Sequence, residues 1–168
     1  MNTPNIKVTI TKFDTFLEII ALLLLIFFWI FNVVHFKDLP EIIPIHFNGS
    51  GTADGFGPRA SIFALPIIGT IIYIGLTVLQ KYPKYSNFPV KITEENAQYQ
   101  YTNATKMLRV LKIIILILFF MIDYFTMLTA IGKEDGLGKW FLPFTFGILF
   151  VPIVYFLIQS KKSNKPKL

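Results

Sequence analysis

Four stretches of the chain run apolar for the length of a bilayer crossing. A hydrocarbon core about 30 Å thick asks for about 20 apolar residues of helix, and residues 16–36, 60–79, 112–131 and 140–158 each supply them. Ile19 to Val34, Ala60 to Leu79 and Trp140 to Ile158 contain no charge at all, and past Lys112 the third stretch carries a single one, Asp123. The first stretch is longer than the 7–15 apolar residues of a secretory signal, and bulky Phe31-Asn32-Val33-Val34-His35-Phe36 follows where a small-residue cleavage site would stand. It is read as a retained span. The pattern predicts an all-α integral membrane protein, one four-span domain over 1–168, with loop 37–59, connector 80–111 and a short second loop at 132–139.

Within the connector, Pro83 and Pro89 predict an extended Lys81 to Val90. Thr93 is then a good helix N-cap, with Glu94 and Glu95 in the first turn favouring the helix dipole. A helix is expected from about residue 94, and Ala97, Tyr101, Ala104, Leu108 and Leu111 make an apolar stripe that runs unbroken into the third span. That stripe either packs on the membrane surface and neighbouring helices or docks a cytoplasmic regulator. Pro66, Gly69 and Gly75 in span two, and Pro143, Gly147 and Pro152 in span four, mark either close helix contacts and kinks or a substrate path through broken helices.

Loop 37–59 has a pattern of its own. Ile43, Ile45 and Phe47 alternate with Pro44, His46 and Asn48, which predicts a strand with an apolar underside and His46 turned away from it. Asn48-Gly49 and Asp54-Gly55 are turn signals, and Gly51 and Gly57 tolerate positive φ. The expectation is a compact folded loop lying on the bundle.

Composition sharpens this reading. Residues AVILMFWYC make up 54% of the chain and charged residues 15%, against about 25% charged in a soluble domain. With no Cys and two His, disulfides, thiol chemistry and three-histidine metal sites are excluded. The 16 Lys and Arg outnumber the 10 Asp and Glu, for a net charge of +6. Their placement speaks for a membrane and against nucleic acid. The N-terminal tail (Lys7, Lys12), the connector (Lys81, Lys84, Lys91, Lys106, Arg109, Lys112) and the C-terminal tail (Lys161, Lys162, Lys165, Lys167) hold twelve, and the other two loops hold four (Lys37, Arg59, Lys133, Lys139). By the positive-inside rule both termini and the connector are cytoplasmic and loop 37–59 is external.

Two places carry nameable chemistry. His46 and Asp54, eight residues apart across glycine-rich turns, can form an imidazole–carboxylate pair. The pair can shape the loop, recognise an external peptide or ligand, or begin a metal site with Asp38, Glu41, Asn48 or His35. No metal or other cofactor is expected. Asp123 lies roughly 12 Å of helix from the outer end of its span, where an isolated ionised carboxylate costs at least about 2.5 kcal/mol. Thr70, Tyr73 and, nearer the outer surface, Asn32 lie at similar depth, and no basic residue does, so a neutral acid donating a hydrogen bond is expected. It is interhelical glue or a proton or cation relay. Glu18 is expected at the interface beside Lys12 or Lys81. No catalytic motif is found: Gly49-Ser50-Gly51 lacks the spacing of a nucleophile elbow, and Ser50, His46 and Asp54 crowd one loop without a scaffold.

The run Leu39-Pro-x-x-Ile-Pro44-x-His46-Phe-Asn48-x-x-Gly51-x-x-Asp54-Gly55-x-Gly57, followed by a span with an early proline, resembles the bacterial membrane proteins of domain of unknown function 1648. Asn87 to Asn96, leading into a tyrosine-rich helix, is similar to a second signature of some members. The resemblance implies a bacterial source, a multi-pass protein of the plasma (inner) membrane, and, more distantly, toxin-immunity and signalling proteins that guard a producer against a secreted peptide. The function expected is therefore non-catalytic, immunity-like or sensory, with the external loop as the contact for a ligand or peptide and the bilayer as constant partner. The alternative is a proton-coupled transporter or channel subunit centred on Asp123, which with four spans would work as a homodimer.

Overall fold

The computed structural model describes residues 4–162, so Lys165 and Lys167 of the charge count lie outside the described residues. Four helices dominate: α1 (Lys12–His35), α2 (Ala64–Leu79), α3 (Glu94–Ala130) and α4 (Phe141–Lys162). Each is long and apolar enough to cross a membrane, α2 together with the 3₁₀ turn Arg59–Phe63 that leads into it. Their lipid-side faces carry Leu22, Leu23, Phe27, Ile67, Ile71, Phe146, Val151 and many other large apolar side chains in the open. So much contiguous apolar surface is a face for lipid, not for water.

The helix starts follow from local chemistry. Thr11 and Asp14 form a capping box, Asp14 N–H donating to Thr11 Oγ1 at 3.2 Å and Thr11 N–H to Asp14 Oδ2 at 2.8 Å, which begins α1 four residues before the expected position 16. At α3, Thr93 and Asn96 make the same reciprocal pair, and the helix starts at 94 as its sequence implies. Pro66 sits in the first turn of α2, where a proline removes no intrahelical bond. The connector is not extended throughout, because Pro83–Tyr85 folds into a 3₁₀ turn.

At 37 residues α3 is about 55 Å long, well beyond one bilayer core. It is the central rod, with α1, α2 and α4 all packed on it. Gly69 of α2 lets this packing be close: a Cβ there would stand 3.4 Å from Leu116 and 3.5 Å from Phe119. Gly75 and Gly147 face open space instead. The α3 stripe is covered by the chain itself. Ala97, Tyr101, Ala104 and Leu108 are buried, Phe88 lies against the Tyr101 ring, and the Tyr101 hydroxyl donates to Pro4 O at 2.8 Å. On α4 only Phe141 and Ser160 are buried, and its polar seam with α3 runs through Gln100 Nε2 to Ser160 O and Asn103 Nδ2 to Phe156 O, both 2.9 Å.

The all-α expectation needs one correction. Strands β1 (Ile42–Phe47) and β2 (Ala53–Pro58) form an antiparallel hairpin between α1 and α2. Asn48-Gly49 opens its turn as expected, Asn48 Oδ1 accepting from Ser50 N–H at 3.0 Å and Thr52 N–H at 3.1 Å. Asp54-Gly55 does not turn; it lies inside β2. The register slips by one residue at Ile45 on β1 and again at Asp54 on β2, so the simple alternation fails: Ile43 and Pro44 are both buried and Ile45 is 54% exposed. The hairpin base rests on Leu39, Ile62 and Met127, with Phe31, Phe36 and Phe63 packed around them. Its tip docks on residues 132–139, where Leu137 N–H donates to Gly51 O at 2.7 Å. Gly51 has φ +78°, and a Cβ on it would meet Gly138 O at 2.5 Å, so only glycine fits there.

Candidate functional site

The bulge at Asp54 has a chemical result. It swings the carboxylate toward the neighbouring strand, where the His46 Nδ1–H donates to Asp54 Oδ1. Gly55 is the residue opposite His46, and a Cβ there would approach His46 Cβ to 2.9 Å; Gly57 makes the same allowance for Ile45. The glycines of the loop motif are thus the smooth side of a hairpin whose other strand carries the large groups. His35 pairs separately with Asp38 at 3.5 Å, and among the described residues no three of His, Asp and Glu converge as a metal would require.

Beneath the hairpin lies a cleft of about 470 Å³. Ile43, Pro44, Ile45 and His46 roof it, Ile62 and Leu65 wall it, and Asp123 and Thr126 of α3 form its polar floor. The two places that the sequence singles out therefore share one cavity. Asp123 is buried, lies near the Asn32 side chain, and keeps Oδ2 without a partner. Asn32 is itself held by Nδ2 donating to Phe28 O at 3.0 Å, and its Oδ1 is also unpartnered. No Lys or Arg lines the cleft among the described residues. Thr70 and Tyr73 are not brought to it. Thr70 Oγ1 accepts from Trp29 Nε1 at 2.9 Å and donates to Pro66 O, while Tyr73 turns its ring to Lys112 Nζ at 4.6 Å.

A second polar centre, at the opposite end of the bundle, was not expected. Lys112 and Arg109 of α3, counted above among the connector charges, are buried between α1 and α2. Lys112 Nζ donates to Glu18 Oε2 at 2.5 Å and to Thr77 Oγ1 at 2.9 Å. Arg109 reaches Glu18 Oε1 at 3.1 Å through Nε and Asp14 Oδ1 at 3.5 Å through Nη1. These last contacts are within ion-pair range, yet Arg109 Nε, Nη1 and both acceptors lack an aligned hydrogen bond. Glu18, expected at the interface beside Lys12 or Lys81, shares a cavity wall with Lys81 but takes its ion pairs from Arg109 and Lys112, in a neutral quartet of two acids and two bases. The signal was present: Asp14 and Glu18 at i, i+4 and Arg109 and Lys112 at i, i+3 each place like charges on one helix face. Between this quartet and Asp123, about 16 Å along α3, lies an apolar layer of Ala21, Leu25 and Leu116.

Fold and surface together define a multi-pass membrane protein with a β-hairpin over a polar-floored cleft. Residues 23–70 match the family described as domain of unknown function DUF1648, so this segment of the chain carries that family's domain. The match takes in most of α1, the hairpin and the first turns of α2; Asp123 and all four members of the quartet lie outside it. The chain is similar to an uncharacterized protein of Archaeoglobus fulgidus, 33% identical over 97 residues, which cover 49% of this chain and 51% of that protein. It thus spans about half the length of that relative, whose source is archaeal where the resemblance implied bacteria. No solved structure matches the chain.

Proposed function

We propose that this protein is a non-catalytic membrane receptor of the immunity-like or sensory kind, whose ligand enters the cleft under the hairpin. One observation carries the reading: the buried Oδ2 of Asp123 stands without a partner on the floor of a cavity roofed by the loop motif. An unmet buried polar atom costs about 1–3 kcal/mol, which a ligand donor placed there would recover. The apolar walls and the absence of a lining cation favour an apolar group bearing one amine or amide, such as the end of a short apolar peptide. Contact at residues 38–59 would be passed by the unbroken α3 to the connector, where a cytoplasmic regulator could read it. Alkylamines test the ligand class. Hexylamine should raise the melting temperature of the detergent-solubilised protein more than 1-hexanol does, and Asp123→Asn should erase the difference; equal shifts in the wild type would overturn the reading.

The orientation is part of the proposal: connector and termini cytoplasmic, hairpin outside, in the plasma membrane of a prokaryote. Setting aside the internally paired Arg109 and Lys112, the basic residues still divide ten to four. In this Cys-free chain, Ser50→Cys should react with an impermeant thiol reagent in intact cells and Ser86→Cys only after permeabilisation. The reverse pattern would invert every assignment of side.

The transporter or channel reading, as a homodimer, rests on the same Asp123. The apolar layer of Ala21, Leu25 and Leu116 between the two polar centres speaks against a continuous path in this conformation.

A further inference from the structure

Beside the quartet, a second cavity of about 450 Å³ opens between the N-terminal segment, α1 and the end of α2. Its walls combine apolar Ile6, Val8 and Ile10 with Lys7, Lys81 and Gln80, and Glu18 and Arg109 of the quartet also face it. Glu18 in this lining is already paired with Arg109 and Lys112, and neither Lys7 nor Lys81 forms an ion pair among the described residues, so the lining stays net positive. Gln80, which caps the C-terminal end of α2, is buried, and its Nε2 has no partner. A buried amide donor left open, next to two free ammonium groups, describes the complement of an anion with several acceptor oxygens. Arg109, which also lines the cavity, keeps Nε and Nη1 without aligned acceptors.

The position says which anion. The cavity lies at the end of a membrane span, where headgroups are, and its apolar wall continues into the lipid-facing surface of α1, where Phe13 and Phe16 stand exposed. We infer that this cavity binds the phosphate of an anionic phospholipid, with Lys7, Lys81 and Gln80 as its polar contacts and Ile6, Val8 and Ile10 along the first part of an acyl chain. Free phosphate offers the same oxygens but nothing for the apolar wall. Binding here would hold the N-terminal segment, tied through Pro4 to Tyr101, against the bundle.

Native mass spectrometry of the full chain from detergent gives the test, with phosphatidylglycerol, phosphatidylcholine and inorganic phosphate titrated separately. Phosphatidylglycerol should bind with one dominant stoichiometry and be weakened at least about tenfold in Lys7→Gln/Lys81→Gln. Lys84→Gln/Lys91→Gln removes the same net charge outside the cavity and should bind as the wild type does, while Lys7→Arg/Lys81→Arg should bind and so show that the site tolerates substitution. Equal affinity for phosphatidylcholine would reduce the cavity to an apolar groove and overturn the proposal. Competition by millimolar inorganic phosphate would make it a free-anion site, and equal losses in the two glutamine pairs would leave only diffuse surface charge; either result also overturns it.

Discussion

Arg109→Met is expected to cost about 3–5 kcal/mol of folding stability, a large part of the 5–15 kcal/mol that a domain commonly has. The guanidinium is buried within 3.5 Å of two acids on α1, and the side chains of Asp14 and Lys112 are almost wholly enclosed. Removing it leaves Asp14 and Glu18 facing Lys112 alone, with the enclosed Asp14 left to its Thr11 hydrogen bonds and the more distant Lys106. Lys112→Met should be nearly as damaging, since it also gives up the Thr77 bond and the contact over Tyr73. Glu18→Gln should cost less, because Glu18 retains 28% exposure and water can take up the slack. Asp14→Leu/Arg109→Met should recover part of the loss, because it withdraws a matched pair rather than one member. Thermal unfolding in one detergent measures all four variants. A loss below about 1 kcal/mol for Arg109→Met would mean that water reaches the quartet and that it behaves as a surface pair.

The quartet is hard to see in the sequence because its cations stand where solvated flanking charges are the rule. Lys and Arg ahead of a span are ordinarily solvated, and the positive-inside count treats them all alike. Arg109 and Lys112, however, sit on a helix that starts at 94, so they are already a full four turns inside a packed bundle, and α1 begins early enough to face them with Asp14 and Glu18. Both facts hang on the Thr11 and Thr93 caps. Thr93 is marked by the Glu94-Glu95 pair that follows it, whereas Thr11 is followed by Lys12 and Phe13 and carries no such mark. The four spans themselves were legible because twenty uncharged residues have few other uses. The hairpin was half legible: the Asn48 turn and the strand at Ile43 follow from local chemistry, but two bulges cannot be seen in an alternation, and it is the bulge at Asp54 that brings the carboxylate to His46. For Asp123, the sequence supplied three candidate neighbours and the fold chose Asn32, because Thr70 is engaged by Trp29 and Tyr73 by Lys112.

Asp123→Asn is expected to leave the protein folded and to leave proton permeability of reconstituted vesicles unchanged. Asn is close in shape to a carboxylic acid, keeps a polar group beside buried Asn32, and adds no charge to the cleft. Asp123→Leu, by contrast, removes the polar floor of the cleft and leaves buried Asn32 without a polar neighbour across the helix interface. A receptor cleft needs the carboxyl as an anchor, so Asn should abolish the preference for alkylamine over alkanol without touching any flux. A relay needs the same oxygen to take up and release a proton in every cycle, which Asn cannot do. The decisive experiment is purified protein in liposomes with an internal pH dye and an imposed gradient. Proton flux in the wild type that vanishes in Asp123→Asn would establish the transporter and defeat the receptor reading. A flat trace in both, with alkylamine stabilisation lost in the variant, would leave Asp123 as the floor of a binding cleft sealed from the far side by Ala21, Leu25 and Leu116.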